Sequence, residues 1–260
     1  MYTLNELKDY ANVLGFKTAE QAEEDYLQEL LLKMLYSKIP EEMIVFRGGT
    51  ALSKVYSTGR FSNYLDFVLN ASKKADIEEE IEQAIKLLSN FYECKFEKET
   101  YIERLRYKIK VNGPLYINKN GFGKQRISMD INTYEKVVLP PLAVIRYPIY
   151  SDITPYTLVI KQLEELLFDK LLALNERKNV VARDLYDIYV ILKKELPLDH
   201  EKIDLLFNKE HKAFTLEQTK KRIDLIKPLW KQGIPQLTSN FIEFETVKTY
   251  TANALSTFFH

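Results

Sequence analysis

A single cysteine is present among the 260 residues of this chain, and so little cysteine excludes several kinds of protein. One thiol cannot form a disulfide within the chain, and it cannot supply a cysteine-based zinc site. Histidine is almost as scarce, with three residues whose spacing does not match a metal site. The sequence therefore excludes a disulfide-stabilised scaffold and a zinc site built on cysteine.

Net charge and long apolar runs are also lacking. The 37 basic residues equal the 37 acidic ones in number, which argues against a wide nucleic-acid surface but leaves room for a local basic patch. No run approaches the roughly 18 apolar residues of a membrane span. The first residues, Met1 to Glu6, lack the basic start and apolar core of a signal peptide. We therefore expect a cytoplasmic protein without a membrane partner.

Hydrophobic periodicity divides the chain into two parts. Short apolar segments bounded by turn residues predict strands among helices up to about residue 150, and from about residue 158 the pattern is helical. Four prolines, at 140, 141, 148 and 155, mark an extended crossing between the parts. We predict an α+β fold, with a domain of strands and helices at 1–154 and a helical domain at 155–260. The predicted helices are 3–14, 18–37, 50–56, 76–90, 163–176, 183–194, 201–209, 216–229 and 247–259, and the predicted strands are 43–46, 64–69, 91–96, 101–111 and 125–131.

Two glycines stand where a predicted strand meets a predicted helix. Gly48 and Gly49 follow the apolar run Met43–Phe46 and precede Thr50. Such a turn lets the backbone approach an anion, whose charge is favoured by the first amide groups and the dipole of the helix. Thr50 or Ser53 can add a hydroxyl contact. The spacing matches neither the Walker motif nor the dinucleotide fingerprint, so an ordinary structural turn is the alternative.

Two aspartates interrupt apolar strands. Asp66 lies in the predicted strand 64–69, and Asp130 lies in the predicted strand 125–131. A carboxylate among apolar residues is costly unless it is paired or bound to a metal. Neighbouring strands would bring both within reach of one Mg²⁺, which one or two carboxylates hold together with substrate phosphates. A capping or salt-bridge role is the alternative for each aspartate.

One segment is strongly basic. Between Lys98 and Arg126 there are eight basic residues and two acidic ones. This basic block either contacts a phosphate backbone or forms a solvated sheet face that balances the acidic helix before it.

The predicted helical domain carries a further charged set. Lys170 precedes Asp184 and Asp187, and the two aspartates share one helix face because they are three residues apart. A surface salt-bridge cluster that includes Arg183 is the alternative.

Taken together, these motifs resemble the AbiEii/AbiGii toxin family of nucleotidyltransferases, from abortive-infection and type IV toxin–antitoxin systems. That family carries a Gly-Gly-Thr turn after a strand, an Arg-Phe-Ser-x-Asp-Leu-Asp-Phe segment, a later strand aspartate, a helix with a functional lysine, and an Arg-Asp-Leu-Tyr-Asp helix. The order and approximate spacing hold from about residue 40 to 195. The matching positions are Gly48–Thr50, Arg60–Phe67, Asp130, Lys170 and Arg183–Asp187.

The resemblance implies a nucleotidyltransferase core with a mixed sheet and flanking helices, followed by a helical domain. It implies binding of a nucleoside triphosphate with Mg²⁺ or Mn²⁺, transfer of a nucleotide to an acceptor such as tRNA or another RNA, and a cognate antitoxin. The catalytic candidates that it implies are Asp66, Asp130, Lys170, Asp184 and Asp187, of which Asp66 and Asp130 are the metal ligands. The implied nucleotide-binding residues are Gly48, Gly49, Thr50, Arg60, Ser62 and Lys170.

One position departs from the family pattern. Tyr64 stands where the family has the first aspartate of its metal-binding Asp-x-Asp pair. A phenol is neutral at pH 7 and is a poor ligand for Mg²⁺, so metal binding should weaken and activity should fall. Three accounts are open: a naturally inactive or repurposed copy, a variant selected or introduced because the active toxin harms its host, or an active enzyme with a replacement ligand.

Three functions stay open from the sequence. The first is a nucleotidyltransferase that is impaired by Tyr64. The second is a protein of the same fold that binds a nucleotide, an RNA or an antitoxin without chemistry. The third is a helical interaction protein whose acidic residues are structural.

Overall fold

The computed structural model describes residues 1–40, 43–70, 77–119, 121–210 and 214–257. The chain forms two compact units, residues 1–161 and residues 162–260. The helix start predicted at Asp76 and the helix end predicted at Phe259 lie outside the described residues.

The first unit combines helices and strands. In chain order, its described elements are α1 (Leu4–Leu14), α2 (Ala19–Lys38), β1 (Ile44–Arg47), α3 (Gly48–Tyr56), β2 (Tyr64–Leu69), α4 (Glu78–Leu88), β3 (Cys94–Thr100), β4 (Arg104–Val111), α5 (Pro114–Ile117), β5 (Gln125–Asn132), β6 (Leu142–Arg146) and β7 (Tyr156–Ile160). The strands form one seven-stranded sheet in the order β3-β4-β5-β2-β1-β7-β6. The sheet is mixed, because β2 runs parallel to β5 whereas β1 runs antiparallel to β2.

Alternation along the strands gives the sheet one apolar and one polar face. In β4, Leu105, Tyr107 and Ile109 are fully buried, and Arg106 and Lys108 between them point to the opposite face. The helix α2 is buried along most of its length and packs against β5, β7 and α4. The polar face is therefore the one that carries the charged residues discussed below.

Buried charges join α2 to α3, the helix that begins at Gly48. The Lys54 ammonium lies 2.6 Å from the Asp25 carboxylate and 3.2 Å from the Glu29 carboxylate. Arg146 of β6 donates two hydrogen bonds to Glu29 Oε1, at 3.1 and 2.9 Å. Burial opposes ionisation of Glu29, but Lys54 and Arg146 outweigh it and hold the pKa of this carboxyl below its usual range. The cluster fixes α3 from its inner side.

The second unit is helical. Its described elements are α6 (Leu163–Glu176), α7 (Ala182–Lys193), α8 (His200–Lys209), α9 (Leu216–Asp224), α10 (Lys227–Gly233), a 3₁₀ helix (Ile234–Gln236) and α11 (Phe244–Leu255). Trp230 is fully buried, and its indole N–H donates to the Ile242 carbonyl at 2.8 Å. In the part of the chain that the structure describes, none of the helices has the length and apolar character to cross a bilayer. The two units together confirm the predicted α+β class, with a mixed sheet followed by helices.

The segment predicted as an extended crossing contains β6, and β7 extends to Ile160, although the helical pattern was predicted to begin at about residue 158. β6 and β7 pair antiparallel, with Leu142 opposite Ile160. The prolines at 140, 141, 148 and 155 flank these strands and do not interrupt them, which is the arrangement that a missing N–H permits. β7 belongs to the sheet, and the first compact unit comprises residues 1–161.

Other boundaries also differ from the prediction. The single helix predicted at 216–229 is divided into α9 and α10, because Pro228 in the first turn of α10 cannot donate to a continuing helix. The strand predicted at 91–96 begins only at Cys94. The amide groups of Phe91 and Tyr92 both donate to the Leu88 carbonyl, so they close the end of α4.

Candidate functional site

The two strand aspartates lie side by side on the polar face of the first unit. Asp66 of β2 is in register with Asp130 of β5, and these are flanked in register by Arg47 of β1 and Arg106 of β4. Residues directly opposite one another on neighbouring strands share a face of the sheet. The four side chains therefore form one row across four strands, in which both aspartates are half-buried.

The glycine turn lies directly beside this row. Gly48 has a φ of 78°, in the left-handed region that favours glycine, and a Cβ added to it would lie 2.7 Å from Asp66 Oδ2. A Cβ on Gly49 would overlap the Arg60 guanidinium and lie 3.1 Å from Ser62 Oγ. The structure thus brings together six of the predicted site residues around the N-terminus of α3, with Asp130 next to Asp66: Gly48, Gly49, Thr50, Arg60, Ser62 and Asp66.

Side chains from two helices hold the segment that leads into β2. They donate to every second main-chain carbonyl: Ser53 Oγ to Arg60 at 2.8 Å, Gln28 Nε2 to Ser62 at 3.0 Å, and Thr50 Oγ1 to Tyr64. Thr50 is only 1% exposed. Its hydroxyl, a predicted nucleotide contact, therefore supports the start of β2 in this structure.

Tyr64 lies on the same face as Asp66, because the two residues are two positions apart in β2. It is in register with Ser128 and is 40% exposed. A carboxylate at this position would join Asp66 and Asp130 on the polar face. The phenol supplies no such charge.

Arg106 engages both carboxylate oxygens of Asp130. Its Nε donates to Oδ1 at 2.7 Å and its Nη2 donates to Oδ2 at 2.9 Å, a bidentate geometry. The hydrogen bonds to Asp130 raise the pKa of the guanidinium further above its usual range. The sequence analysis counted Arg106 only as part of the basic block. Because Arg106 lies between two buried residues of β4, the sequence alone could have placed it on the polar face. Its pairing with Asp130 depends on the register between β4 and β5, which the sequence does not reveal.

A second ion-pair cluster lies at the other end of the row. Arg47 pairs with the Glu135 carboxylate, which also accepts from Lys161 Nζ at 2.7 Å. Burial opposes ionisation of Glu135, but Arg47 and Lys161 outweigh it and hold the pKa of this carboxyl below its usual range. The sequence analysis did not identify Glu135, since it lies in a loop and belongs to no recognised motif.

The Asp66 and Asp130 carboxylates suit a cation that is also bound by substrate phosphates better than a cation bound by protein groups alone. Among the described residues, no three histidine, cysteine, aspartate or glutamate side chains group together as a metal site. Asp66 and Asp130 nevertheless supply the one or two carboxylates with which Mg²⁺ is usually bound when substrate phosphates complete the coordination. The pair fits a metal–nucleotide complex on these terms.

The predicted residues of the second unit also come together. Lys170 Nζ of α6 lies 2.8 Å from Asp187 Oδ2 and 3.3 Å from Asp184 Oδ1, both in α7. Both aspartates are fully buried and Lys170 is 8% exposed. The second partner of Asp184 is Arg177, at 3.0 Å, where the sequence had suggested Arg183. This buried cluster joins α6 to α7.

Four of the eight basic residues in the basic block form ion pairs with neighbouring acids. Its cross-strand and helix contacts pair Lys98 with Glu78 and Glu82, Lys108 with Glu99, Lys110 with Glu97, and Arg106 with Asp130. Two of these acids, Glu78 and Glu82, belong to α4. The structure therefore favours the interpretation as a solvated face that balances the acidic helix.

Comparison with solved structures identifies the fold as that of nucleotidyltransferases. MenT4, a nucleotidyltransferase toxin from Mycobacterium tuberculosis, is 15% identical, with 98% of this chain and 89% of that chain covered and a TM-score of 0.60. JHP933 from Helicobacter pylori is 17% identical, with 92% of this chain and 91% of that chain covered and a TM-score of 0.53. A search of curated proteins gives no match.

The family follows from the sequence itself. A family model described as nucleotidyl transferase AbiEii toxin, type IV toxin–antitoxin system, matches residues 30–252. The chain therefore belongs to the AbiEii nucleotidyltransferase toxin family, as its motifs had predicted.

Proposed function

We propose that this chain binds a nucleoside triphosphate together with Mg²⁺ or Mn²⁺ at the Gly48–Gly49 turn and transfers a nucleotide to an RNA acceptor such as tRNA. In this proposal Tyr64 lowers the activity, because it stands where a carboxylate would strengthen metal binding. A cognate antitoxin is the proposed protein partner, in keeping with membership of a type IV toxin–antitoxin family.

The position of the Asp66 carboxylate is the observation that carries the proposal. It lies directly against Gly48, at the N-terminus of α3, and next to Asp130 in the sheet. Backbone amides at a helix N-terminus stabilise phosphate, and carboxylates close to the phosphate can share a cation with it. The adjacency of the helix N-terminus and the two carboxylates supports the proposal.

The side chains of the first unit take different roles in this proposal. Asp66 and Asp130 would hold the cation, which when bound neutralises charge on the pyrophosphate leaving group. The backbone of Gly48 and Gly49 approaches the phosphates, and Ser62 Oγ lies close enough to the turn to add a hydroxyl contact. Arg60 is 2% exposed and packs on Gly49, so we assign it to support of the turn.

The roles of three residues in the second unit rest on family membership alone. Lys170 is proposed to contact phosphate, and Asp184 and Asp187 are proposed to be catalytic. Because all three are buried in one ion-pair cluster, Lys170 would have to exchange a carboxylate for phosphate in order to do so.

A transfer assay tests the proposed activity. Total RNA is incubated with each radiolabelled nucleoside triphosphate, Mg²⁺, and either this chain, the Tyr64→Asp variant or a Tyr64→Asp/Asp66→Asn double variant. We expect Tyr64→Asp to label RNA at least about 100-fold faster than the double variant, a typical effect of removing one group that stabilises transition-state charge. Absence of both labelling and calorimetric triphosphate binding with Tyr64→Asp would overturn the proposal.

A second candidate function is binding without chemistry. Tyr64 in place of a carboxylate, and the engagement of both Asp130 oxygens by Arg106, favour it. In the same assay this function gives calorimetric triphosphate binding, or a shift in RNA mobility, without incorporation of label by any variant.

A further inference from the structure

The ion pair between Arg106 and Asp130 is more shielded than an ordinary surface pair. The Arg106 side chain is 25% exposed and the Asp130 side chain is 17% exposed. The planar fork of the guanidinium matches the carboxylate and occupies both oxygens. A cation that coordinates Asp130 must therefore compete with a fixed positive charge.

Ion pairs with neighbouring residues flank the row on both sides. Arg47 is paired with Glu135, and Glu99, which is in register with Arg106, is paired with Lys108. Asp66 and Asp130 lie side by side at the centre of the row, and Arg106 holds both oxygens of Asp130. An aspartate at position 64 would raise the number of carboxylates to three and would shift the competition towards a divalent cation.

We propose that Arg106 is a built-in counter-ion that makes metal binding at Asp130 depend on the nucleotide. The inference rests on the proposed function. A triphosphate offers Arg106 a new bidentate partner, because guanidinium pairs with phosphate as well as with carboxylate. When Arg106 turns from Asp130 to a phosphate oxygen, Asp130 becomes available to the cation that accompanies the nucleotide. The free protein then binds a divalent cation weakly, and the triphosphate and the cation bind cooperatively.

Removal of the guanidinium should change the affinities for Mn²⁺ and for the triphosphate in opposite directions. In Arg106→Gln, Asp130 is released, so we expect the Kd of Mn²⁺ alone to fall by about ten-fold, which corresponds to 1.4 kcal/mol. The same variant lacks the phosphate partner, so the Kd of the nucleoside triphosphate should rise by about ten-fold. A residue that only stabilised the sheet would not produce this opposite pair of changes.

The chain offers a matched control. Lys108 lies two residues further along β4 on the same face, and its partner is Glu99. Lys108→Gln removes one positive charge from the same face without releasing Asp130, and we expect both dissociation constants to stay within about two-fold. Arg106→Lys keeps the charge but loses the fork, and it should give intermediate values.

Electron paramagnetic resonance of Mn²⁺, with ATP, GTP, CTP and UTP added in turn, measures both affinities, and circular dichroism checks that each variant is folded. If Arg106→Gln leaves Mn²⁺ affinity unchanged while Tyr64→Asp binds Mn²⁺ with a triphosphate, the counter-ion role is overturned and the proposed function stands. If no variant binds Mn²⁺ or a triphosphate, both are overturned.

A nuclear magnetic resonance measurement gives an independent readout in the unaltered chain. The Arg106 Nε–H signal, assigned by its loss in Arg106→Gln, should shift in Asp130→Asn and should shift when a triphosphate and Mg²⁺ are added together. A signal that responds to Asp130→Asn but not to the ligands would show that the ion pair stays closed, which contradicts the proposal.

Discussion

Replacement of Gly48 by alanine is the sharpest test of the site geometry. Two separate effects are expected. The φ of 78° places an alanine in the left-handed region, which costs about 1–2 kcal/mol for a residue with a Cβ. The new Cβ would also lie 2.7 Å from Asp66 Oδ2 and 3.2 Å from Asp66 Cβ. Rotation of the carboxylate relieves the first contact, but the second joins two atoms fixed to the backbone.

The contact between the new Cβ and Asp66 Cβ therefore requires a shift of the turn or of β2. Overpacking of this kind typically costs about 1–3 kcal/mol. Summed with the backbone term, Gly48→Ala is expected to lower the free energy of unfolding by about 2–5 kcal/mol. It should also weaken binding of Mn²⁺ with a triphosphate, because the Asp66 carboxylate is displaced.

Gly59 provides the control for the backbone term. Its φ is 69°, and a Cβ there would meet no atom of the described residues within 4 Å. Gly59→Ala should therefore lose only about 1–2 kcal/mol. Urea denaturation of both variants, followed by circular dichroism, gives the difference directly. Equal losses for the two substitutions would refute the close approach of Gly48 to Asp66 and, with it, the site.

Three further predictions concern buried charges. Lys54→Met removes the cation that Asp25 and Glu29 share, while Arg146 remains beside Glu29, and it should lower the free energy of unfolding in urea by about 3–5 kcal/mol; a loss below about 1 kcal/mol would contradict the buried network. Lys170→Met should cost a similar amount, about 3–5 kcal/mol, since the buried Asp184 and Asp187 lose the cation that they share while Arg177 remains beside Asp184, and an unchanged urea midpoint would argue against that cluster. Burial raises the pKa of Glu24 from 4.5 to about 8, so the folded state keeps a proton that the unfolded chain loses, and stability falls as pH rises between these values. Glu24→Gln should remove that fall in urea titrations at pH 5 and pH 8, and an unchanged pH dependence would contradict the raised pKa.

The proximity of the two strand aspartates was predictable, but their counter-ion was not. Asp66 and Asp130 each stand out because an acid in an apolar strand requires a partner. Arg106 became a partner only through the pairing of β4 with β5, and a shift of one residue would have turned it to the other face. A single sequence does not determine that register, since any of several basic residues in β4 could pair with an acid.

The elements that sequence reasoning missed have weak patterns. β6 is at the edge of the sheet, and its residues alternate poorly between buried and exposed, so no period of two was available to detect. The helix α6 was predicted with its observed bounds because its apolar residues recur with helical spacing along its whole length. The break before α10 was missed because apolar periodicity continues across it, although Pro228 cannot continue a helix.

The side-chain hydrogen bonds to alternate main-chain carbonyls affect how position 64 responds to substitution. The Thr50 hydroxyl donates to the main-chain carbonyl of Tyr64, a contact that does not depend on the side chain at that position. The strand is therefore held in the same position when the side chain is replaced. Under the proposed function, one substitution at position 64 would therefore change the activity with no compensating change elsewhere in the strand.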